Sequence, residues 1–294
     1  MKNKYFIVFF ALATIALLLG SGCTQKNQVC GNGICEQTED TKTCQADCQG
    51  TNLIKEEVKI GDRRLIFARN PSESPQPAII ALHGRMQSAD AWFGGFAQAR
   101  FSQKALDKGY AVIAPDSIEP ICPNVKNWDY RENSTDTEFF NKLIEWIKNK
   151  KELDSDKVFV AGISNGAFMA SGLAQNIGAP KIKAVAIASG GNPENTDISA
   201  ANNCRTEFNY NPPKISANHP KTLIIHGTLD PIVPFKLGEL NAQAIKDAGI
   251  ESRFLVKQNG SHLWFSEFDY EILEWFGEKL HAKKKKKTHK KNCA

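Results

Sequence analysis

The stretch KVFVAGISNGAFMA, residues 157–170, decides the fold. Its apolar start at 158–161 predicts a buried strand, and its small apolar end predicts the beginning of a helix. Between them Gly162-Ile163-Ser164-Asn165-Gly166 has the Gly-x-Ser-x-Gly pattern of a strained turn that exposes a nucleophilic serine. Glycine is expected at both flanks because a side chain there would collide with neighbouring strands. Ser164 is therefore predicted to be a nucleophile at the carboxyl end of a strand.

The sequence around this stretch, from about residue 57, alternates short apolar runs with longer amphipathic ones. This alternation predicts an α/β domain with a mainly parallel, doubly wound sheet and helices on both faces. Helical periodicity is clearest at two stripes, which we interpret as core faces: Phe139, Phe140, Leu143, Ile144 and Ile147, and then Tyr270, Leu273, Phe276 and Leu280. The predicted strands are 65–68, 78–82, 111–114, 158–161, 184–188, 222–225 and 253–256.

A serine nucleophile needs a general base and an acid that orients the base. In folds with this turn, the chain order is serine, acid, histidine. Asp230 follows the predicted strand 222–225, and His262 follows the last predicted strand, so we predict Asp230 as the acid and His262 as the base. Asp116 is the alternative acid, but it precedes the serine. The other histidines are predicted to be buried hydrogen-bonding residues (His83, His226) or to lie in loops or the tail (His219, His281, His289).

Acyl transfer also requires donors for the oxyanion that forms on the carbonyl oxygen. The main-chain N–H of Asn165 is predicted as one donor because it follows the nucleophile at a helix start. The second is expected from the loop after strand 78–82, from the N–H of Arg85. The Arg85 side chain has two open interpretations: it orients an acidic or carbohydrate substrate, or it is solvated.

Three segments carry a family resemblance: LHGRMQSA at 82–89, GISNGAFM at 162–169 and IHGTLDPIVP at 225–234. Together they resemble the polyhydroxybutyrate depolymerase and feruloyl esterase-like branch of the α/β-hydrolase fold, over residues 57–280. The resemblance implies a secreted carboxylic-ester hydrolase without metal or cofactor, with Ser164, Asp230 and His262 as its catalytic residues. Arg85 stands where that group often has Cys or Gly, so the substrate class stays open.

The N-terminus has the features of an export signal. Lys2 and Lys4 precede an uncharged apolar run, and a small-residue segment then leads to Cys23. We predict a signal peptide at residues 1–22, and the Gly-Cys junction resembles a lipoprotein signal in which Cys23 is lipidated. A plain secretory signal is the alternative. The protein is therefore expected outside the cytoplasm, secreted or at the cell envelope, with a membrane anchor if Cys23 carries lipid.

Cysteines cluster after this signal, in a predicted Cys-rich module and linker at residues 23–56. In an oxidising compartment, cysteines in such a short, weakly apolar segment are expected to form two disulfides, and the three pairings stay open. Two more cysteines lie in the segments 117–135 and 190–220, which we expect to cover Ser164, and a disulfide between them would join these loops. The candidates are Cys30, Cys35, Cys44 and Cys48 in the module and Cys122 and Cys204 in the loops.

The formal net charge of +5 comes from the two ends of the chain. Nine lysines lie in residues 1–22 and in a basic tail at 281–294, and the remaining 28 basic residues face 32 acids, a net charge of −4. A nucleic-acid-binding body is therefore disfavoured. The tail is expected to be solvated or to contact an anionic surface.

Three function classes follow from these observations. The favoured class is a serine esterase acting on small or polymer-linked esters such as feruloyl, acetyl or hydroxyalkanoate esters. A serine peptidase of the same fold is the second, although no propeller or large lid domain accompanies this sequence. A non-catalytic envelope-binding protein is the third, and it has no physical need for Ser164, Asp230 and His262 together. No metal is expected.

Overall fold

The structure, a computed structural model, describes residues 53–118, 125–197 and 206–277. The strands are β1 (Ile54–Ile60), β2 (Arg63–Arg69), β3 (Gln76–Leu82), β4 (Ala111–Pro115), β5 (Leu153–Ile163), β6 (Ala184–Ala188), β7 (Thr196–Asp197), β8 (Glu207–Phe208), β9 (Lys221–Gly227) and β10 (Ser252–Lys257). Eight of them form a central sheet in the order β1-β2-β4-β3-β5-β6-β9-β10, and β7 and β8 form a separate antiparallel ribbon.

Strands β4, β3, β5, β6, β9 and β10 are parallel, and β1 and β2 form an antiparallel edge. This mainly parallel sheet confirms the predicted fold class for the described residues, and each of the seven predicted strands lies within an observed one. The helices are α1 (Ala97–Asp107), α2 (Thr135–Lys148), α3 (Asn165–Asn176), α4 (Phe235–Asp247) and α5 (Asp269–Phe276).

Both faces of the sheet are buried, as the alternation along β5 shows. Val158 and Val160 pack with α2 and α3 on one face, whereas Phe159, Ala161 and Ile163 pack with α1 and α5 on the other. A strand that is covered on both sides must be apolar at consecutive positions, so β5 has a continuous apolar run in the sequence. Because the central strands are parallel, their carboxyl ends all lie at one end of the sheet, where residues following β3, β5 and β9 come together.

Two features differ from the sequence-based expectations. β1 begins at Ile54, so the predicted domain boundary at residue 57 falls inside a strand. Tyr270 was expected on a core face, and this was wrong, because its side chain is 54% exposed. Asp269 occupies the buried side of α5 instead, where it accepts hydrogen bonds from Lys104 Nζ and Trp264 Nε1, each at 2.9 Å.

Several predicted features lie outside the described residues. These are the signal peptide, the cysteine module, the basic tail, Leu280 and all the cysteines named as candidates for lipidation or disulfides: Cys23, Cys30, Cys35, Cys44, Cys48, Cys122 and Cys204. Across the part of the chain that the structure describes, no helix has both the length and the apolar character required to span a membrane.

Candidate active site

Ser164 lies on a sharp turn between β5 and α3. Its backbone is in a strained conformation, with φ 55° and ψ −122°, in a region that side chains disfavour. A methyl group at Gly162 would lie 2.2 Å from the Gly166 carbonyl oxygen, and one at Gly166 would lie 2.3 Å from the Leu82 carbonyl oxygen in β3. Glycine is thus required at both flanks, once by the turn itself and once by the neighbouring strand. The turn holds the serine at the start of α3.

His262 and Asp230 form a hydrogen-bonded pair next to this turn. His262 Nδ1 lies 2.8 Å from Asp230 Oδ2, and the His262 side chain is 13% exposed whereas that of Asp230 is fully buried. With Nδ1 donating to the carboxylate, the neutral imidazole carries its lone pair on Nε2. This is the tautomer that a general base needs.

The Asp230 carboxylate is surrounded by donors. Burial alone would raise its pKa, but hydrogen bonds from the side chains of His226 and His262 and from the backbone N–H groups of Val233 and Ile232 hold the pKa well below its usual value. Both backbone bonds go to Oδ1, at 2.9 Å. Asp230 is therefore ionised at neutral pH, as an acid that stabilises an imidazolium must be.

Ser164 and His262 line the same cavity, with a volume of about 350 Å³. Arg85 and Asn165, the predicted oxyanion donors, lie in its wall together with Met86. Apolar and aromatic side chains form much of the remaining wall: Tyr130, Phe168, Phe208, Ile232 and Val233. The Tyr130 and Phe168 rings stack at 5.5 Å between centroids, and Phe168 stacks on Phe208 at 6.3 Å.

The loop after β3 approaches the serine closely. A methyl group on Gly84 would lie 3.5 Å from Ser164 Cβ. The amide N–H of Gly84 donates to Gln87 Oε1, and the amide N–H of Met86 donates to the Lys126 carbonyl, each at 2.8 Å. The loop that carries Arg85 is therefore anchored on both sides of this residue, beside Ser164.

The Asn165 side chain has a contact that the sequence did not predict. Its Oδ1 accepts a hydrogen bond from the backbone N–H of Trp128 at 2.6 Å, and Trp128 Nε1 donates to the His83 carbonyl at 2.9 Å. The serine turn is thereby tied to the segment before α2 and to the end of β3. His83 is buried, as expected: its Nε2 accepts from the Ser117 N–H at 3.0 Å. Burial lowers the pKa of His83 to about 4.

His226 is buried, as the sequence indicates, but it also reaches the predicted acid. Its Nε2 lies 2.9 Å from the Val233 carbonyl oxygen and 3.3 Å from Asp230 Oδ2. A methyl group at Gly238 of α4 would come within 2.7 Å of His226 Nδ1, so the glycine makes room for the ring. The His-Gly-x-x-Asp spacing of 226–230, which brings both side chains around one tight turn, is the signal that could have revealed this contact.

Asp116, the alternative acid, is engaged elsewhere. Its carboxylate accepts a hydrogen bond from the Ala89 N–H at 2.7 Å and one from the Arg64 guanidinium at 3.2 Å. The structure therefore brings Asp230, and not Asp116, to His262. Within the described ranges, no group of three or more His, Cys, Asp or Glu side chains is arranged to hold a metal ion.

The segments 117–135 and 190–220, expected to cover Ser164, contribute aromatic side chains in different ways. Trp128 is fully buried behind the site, and Tyr210 is 53% exposed and does not line the cavity. Tyr130 and Phe208, two residues away in each case, line the cavity instead.

A mainly parallel sheet with a strained serine turn after β5, an acid after β9 and a histidine after β10 defines an α/β-hydrolase. The chain belongs to the Prolyl oligopeptidase family, whose sequence profile matches residues 126–283. This assignment agrees with the fold expected from the resemblance.

The similar proteins include esterases. A poly(3-hydroxyoctanoate) depolymerase from Pseudomonas fluorescens is 26% identical over 232 residues, which cover 74% of this chain and 80% of that protein. Acetylxylan esterase A from Aspergillus oryzae is 26% identical over 179 residues, covering 52% of this chain and 55% of that protein, so the chain matches only about half of its length. Among solved structures, an acetyl xylan esterase from Aspergillus awamori shares the fold, with a TM-score of 0.59, 15% identity and coverage of 76% of this chain and 98% of that one.

Proposed function

We propose that this protein is a serine carboxylic-ester hydrolase that acts through an acyl-enzyme. The observation that carries the proposal is the Asp230–His262 hydrogen bond at the edge of a cavity that also contains Ser164. The strained serine turn and the esterase names of the similar proteins support it. A binding protein of this fold would have no use for a buried, ionised carboxylate that orients a cavity-lining histidine.

The reaction follows from the roles of these groups. His262 Nε2 takes the proton of Ser164 Oγ as the oxygen attacks the ester carbonyl, and the N–H groups of Asn165 and Arg85 stabilise the resulting oxyanion. The tetrahedral intermediate collapses as His262 returns the proton to the leaving alcohol. Water then repeats the sequence on the acyl-enzyme, releasing the acid and restoring Ser164. Asp230 holds the tautomer of His262 and stabilises its cation in both steps.

The lining of the cavity favours an apolar acyl group as the part of the substrate that binds there. Phe168, Phe208 and Val233 contribute ring and methyl surface, and burial raises the pKa of Tyr130 to about 12, so its hydroxyl stays neutral. A volume of about 350 Å³ accommodates a feruloyl or a medium-length hydroxyalkanoyl group as well as an acetyl group. Small or polymer-linked esters of these acids are the proposed substrates, with no cofactor.

We place the enzyme outside the cytoplasm, secreted or attached to the envelope. The basic and then apolar leader at residues 1–22 supports export, and Cys23 supplies an acceptor for lipid. The proposed organisation is a leader at 1–22, a cysteine module and linker that end before β1, a catalytic domain from Ile54 to about residue 280 and a basic tail at 281–294. Disulfides in the module, and one between Cys122 and Cys204, belong to this proposal.

A serine peptidase is the second candidate, and the family assignment favours it. The same nucleophile, acid and base would serve amide hydrolysis. The two candidates differ in the leaving group, because the amine of an amide depends more strongly on protonation as it departs than the alcohol of an ester does.

Turnover of p-nitrophenyl esters from acetate to octanoate, beside aminoacyl and peptidyl p-nitroanilides, separates the two functions. We expect ester turnover that falls at least about a thousandfold in Ser164→Ala, because the nucleophile is lost, and no measurable anilide turnover. Ser261→Ala is the matched control, since it removes an exposed serine next to His262 and should leave the rate unchanged. Equal ester turnover by wild type and Ser164→Ala would exclude the mechanism, and faster anilide turnover would favour the peptidase.

A further inference from the structure

The end of the sheet opposite Ser164 carries a second, chemically distinct cavity. It has a volume of about 780 Å³ and lies at the amino ends of the parallel strands. Its lining includes four lysines, Lys108, Lys157, Lys183 and Lys221, but only two acids, Asp156 and Glu251. We call the surface around these six residues the basal face. Its excess of positive charge contrasts with the net charge of −4 of residues 23–280.

The lysines of the basal face reach it from separate elements. Lys108 follows α1, Lys157 lies in β5, Lys183 precedes β6 and Lys221 begins β9. The first three are exposed. Asp154 pairs with Lys157 at 3.0 Å, and Lys221 Nζ lies 5.1 Å from the centre of the Trp275 ring. The fold therefore gathers positive charges that are far apart in the sequence.

An aromatic floor underlies these lysines. Tyr110, Phe159 and Phe276 line the cavity, and all three are buried. Phe159 stacks on Phe276 with ring centroids 5.0 Å apart. The three exposed lysines lie outside this buried aromatic layer, so their ammonium groups are the part of the basal face that can meet anionic headgroups.

Both ends of the described chain emerge at this same end of the sheet. Ile54 pairs with Arg69 at the end of β2, and the adjacent Ala68 pairs with Val112 near the start of β4. At the other terminus, Gly277 itself lines the basal cavity. The tail lysines, Lys283 to Lys287 with Lys290 and Lys291, begin only six residues further on. The segments that contain Cys23 and the basic tail therefore join the described chain at the end of the sheet that carries the basal face.

We propose that the basal face is the surface with which this protein rests on an anionic lipid membrane. The carboxyl ends of the strands, and the cavity that contains Ser164, then face away from the membrane toward soluble or polymeric substrate. A membrane-bound lysine contributes about fivefold to the partition coefficient, and several acting together give stable binding. This inference concerns attachment and is independent of the reaction that Ser164 performs.

Binding to vesicles tests the proposal. The full chain is mixed with phosphatidylcholine vesicles that contain either no phosphatidylglycerol or about one third of it, and the ratio of the two partition coefficients is measured. The ratio isolates the electrostatic part, because any hydrophobic leader or lipid on Cys23 binds both vesicle types alike. We expect a ratio well above tenfold that falls at least about tenfold in Lys157→Glu/Lys183→Glu.

The matched control is Lys142→Glu/Lys236→Glu. These lysines are exposed and lie on α2 and in the first turn of α4, and Lys236 pairs with Glu239 three residues along as Lys157 pairs with Asp154. This variant has the same net charge and should keep a ratio within about twofold of wild type. A ratio near one for wild type, an equal loss in both double variants, or no loss in Lys157→Glu/Lys183→Glu would overturn the proposal. The last result would mean that the tail binds alone.

Hydrogen exchange tests the orientation. On phosphatidylglycerol vesicles, peptides covering residues 107–110 and 181–184 should exchange more slowly, and the peptide covering 228–233 beside the Ser164 cavity should be unchanged. Protection at 228–233 without protection at the basal face would show that the opposite end contacts the membrane, and it would overturn the orientation.

Discussion

Asp230 illustrates how one buried side chain depends on its neighbours. Its carboxylate accepts hydrogen bonds from two backbone N–H groups and from His262 Nδ1. His226 Nε2 donates to the Val233 carbonyl oxygen at 2.9 Å and also lies 3.3 Å from Asp230 Oδ2, so its N–H dipole lies beside the carboxylate. We predict that His226 is a positioning residue that acts on the reaction through Asp230, without touching the substrate.

Replacing His226 with Phe tests this role, because the ring is kept and the donor is lost. We expect kcat to fall about tenfold, equivalent to about 1.4 kcal/mol, with KM nearly unchanged, since substrate binding does not involve His226. Steady-state kinetics with one p-nitrophenyl ester measures both values. His219→Phe, which removes another buried histidine away from the cavity, should leave kcat unchanged. An equal fall in both variants, or a rise in KM alone, would refute the positioning role.

Titration of His83 is expected to make the free energy of unfolding depend on pH. Burial lowers its pKa from 6.5 to about 4, so between these values the unfolded state binds a proton that the folded state does not. The stabilisation is complete above pH 6.5 and is lost as the pH falls toward 4, with a total of about 3 kcal/mol. Burial raises the pKa of Asp136 and that of Asp269, and these groups change stability in the opposite sense. The contribution of His83 must therefore be obtained by difference.

We expect His83→Gln to lose less stability than wild type between pH 7 and pH 4.5. Urea unfolding at the two pH values gives the free energies of unfolding. At pH 7 the variant should be less stable, because the hydrogen bonds of His83 with Ser117 and Gly84 are altered. Parallel losses in both proteins would show that His83 does not account for the acid sensitivity.

At the scale of elements, the junction of β5 with α3 depends on backbone contact. Gly166→Ala would place a methyl group 2.3 Å from the Leu82 carbonyl oxygen, a clash that is relieved only if α3 or β3 moves. We expect the free energy of unfolding to fall by about 3 kcal/mol, as in overpacked cores. Gly95→Ala is the control, because nothing lies within 4 Å of its added methyl group, and it should change stability by less than about 0.5 kcal/mol. Similar urea midpoints for both variants would contradict the tight packing of the turn.

The sequence predicts elements well where burial on both faces forces an apolar run. β5, β6 and β9 were found for this reason, and the turn at Ser164 follows from glycines that the geometry requires. β1 was missed because it is an edge strand of sequence IKEEVKI with little buried surface, so its charged residues hide the strand pattern. The sequence-based prediction placed Tyr270 on the core face of α5. In the structure the core face includes Asp269, whose partners are Lys104 and Trp264, and Tyr270 lies outside it.

The candidate site was also predicted in part: its residues were predicted, but several of their contacts were not. The chain order of serine, acid and histidine gave Ser164, Asp230 and His262, and the structure brings the acid and the histidine together beside the serine. The contact of His226 with Asp230 was not predicted, although both residues lie in one tight turn and their spacing could have indicated it. The contact of Asn165 with Trp128 could not be read from the sequence, because it depends on how separate loops fold over the carboxyl end of the sheet. Tyr130 and Phe208 were not predicted as cavity-lining residues for the same reason.

At the scale of the whole molecule, the parallel sheet separates two kinds of chemistry. Its carboxyl ends hold the cavity with Ser164 and His262, and its amino ends hold the lysine-rich basal face and both ends of the described chain. Attachment through the basal face would therefore leave the cavity with Ser164 uncovered. The net charge of +5 comes from residues 1–22 and 281–294, whereas residues 23–280 have a net charge of −4.

The proposed reaction depends on Ser164 as the nucleophile that His262 and Asp230 activate. Mass mapping of the adduct formed by a fluorophosphonate, a reagent that reacts with activated serines, tests this role. We predict one adduct per chain, on the peptide that contains Ser164, absent in Ser164→Ala, formed at least about a thousandfold more slowly in His262→Ala and unchanged in Ser261→Ala. An adduct on a different residue, or equal labelling of wild type and Ser164→Ala, would contradict it.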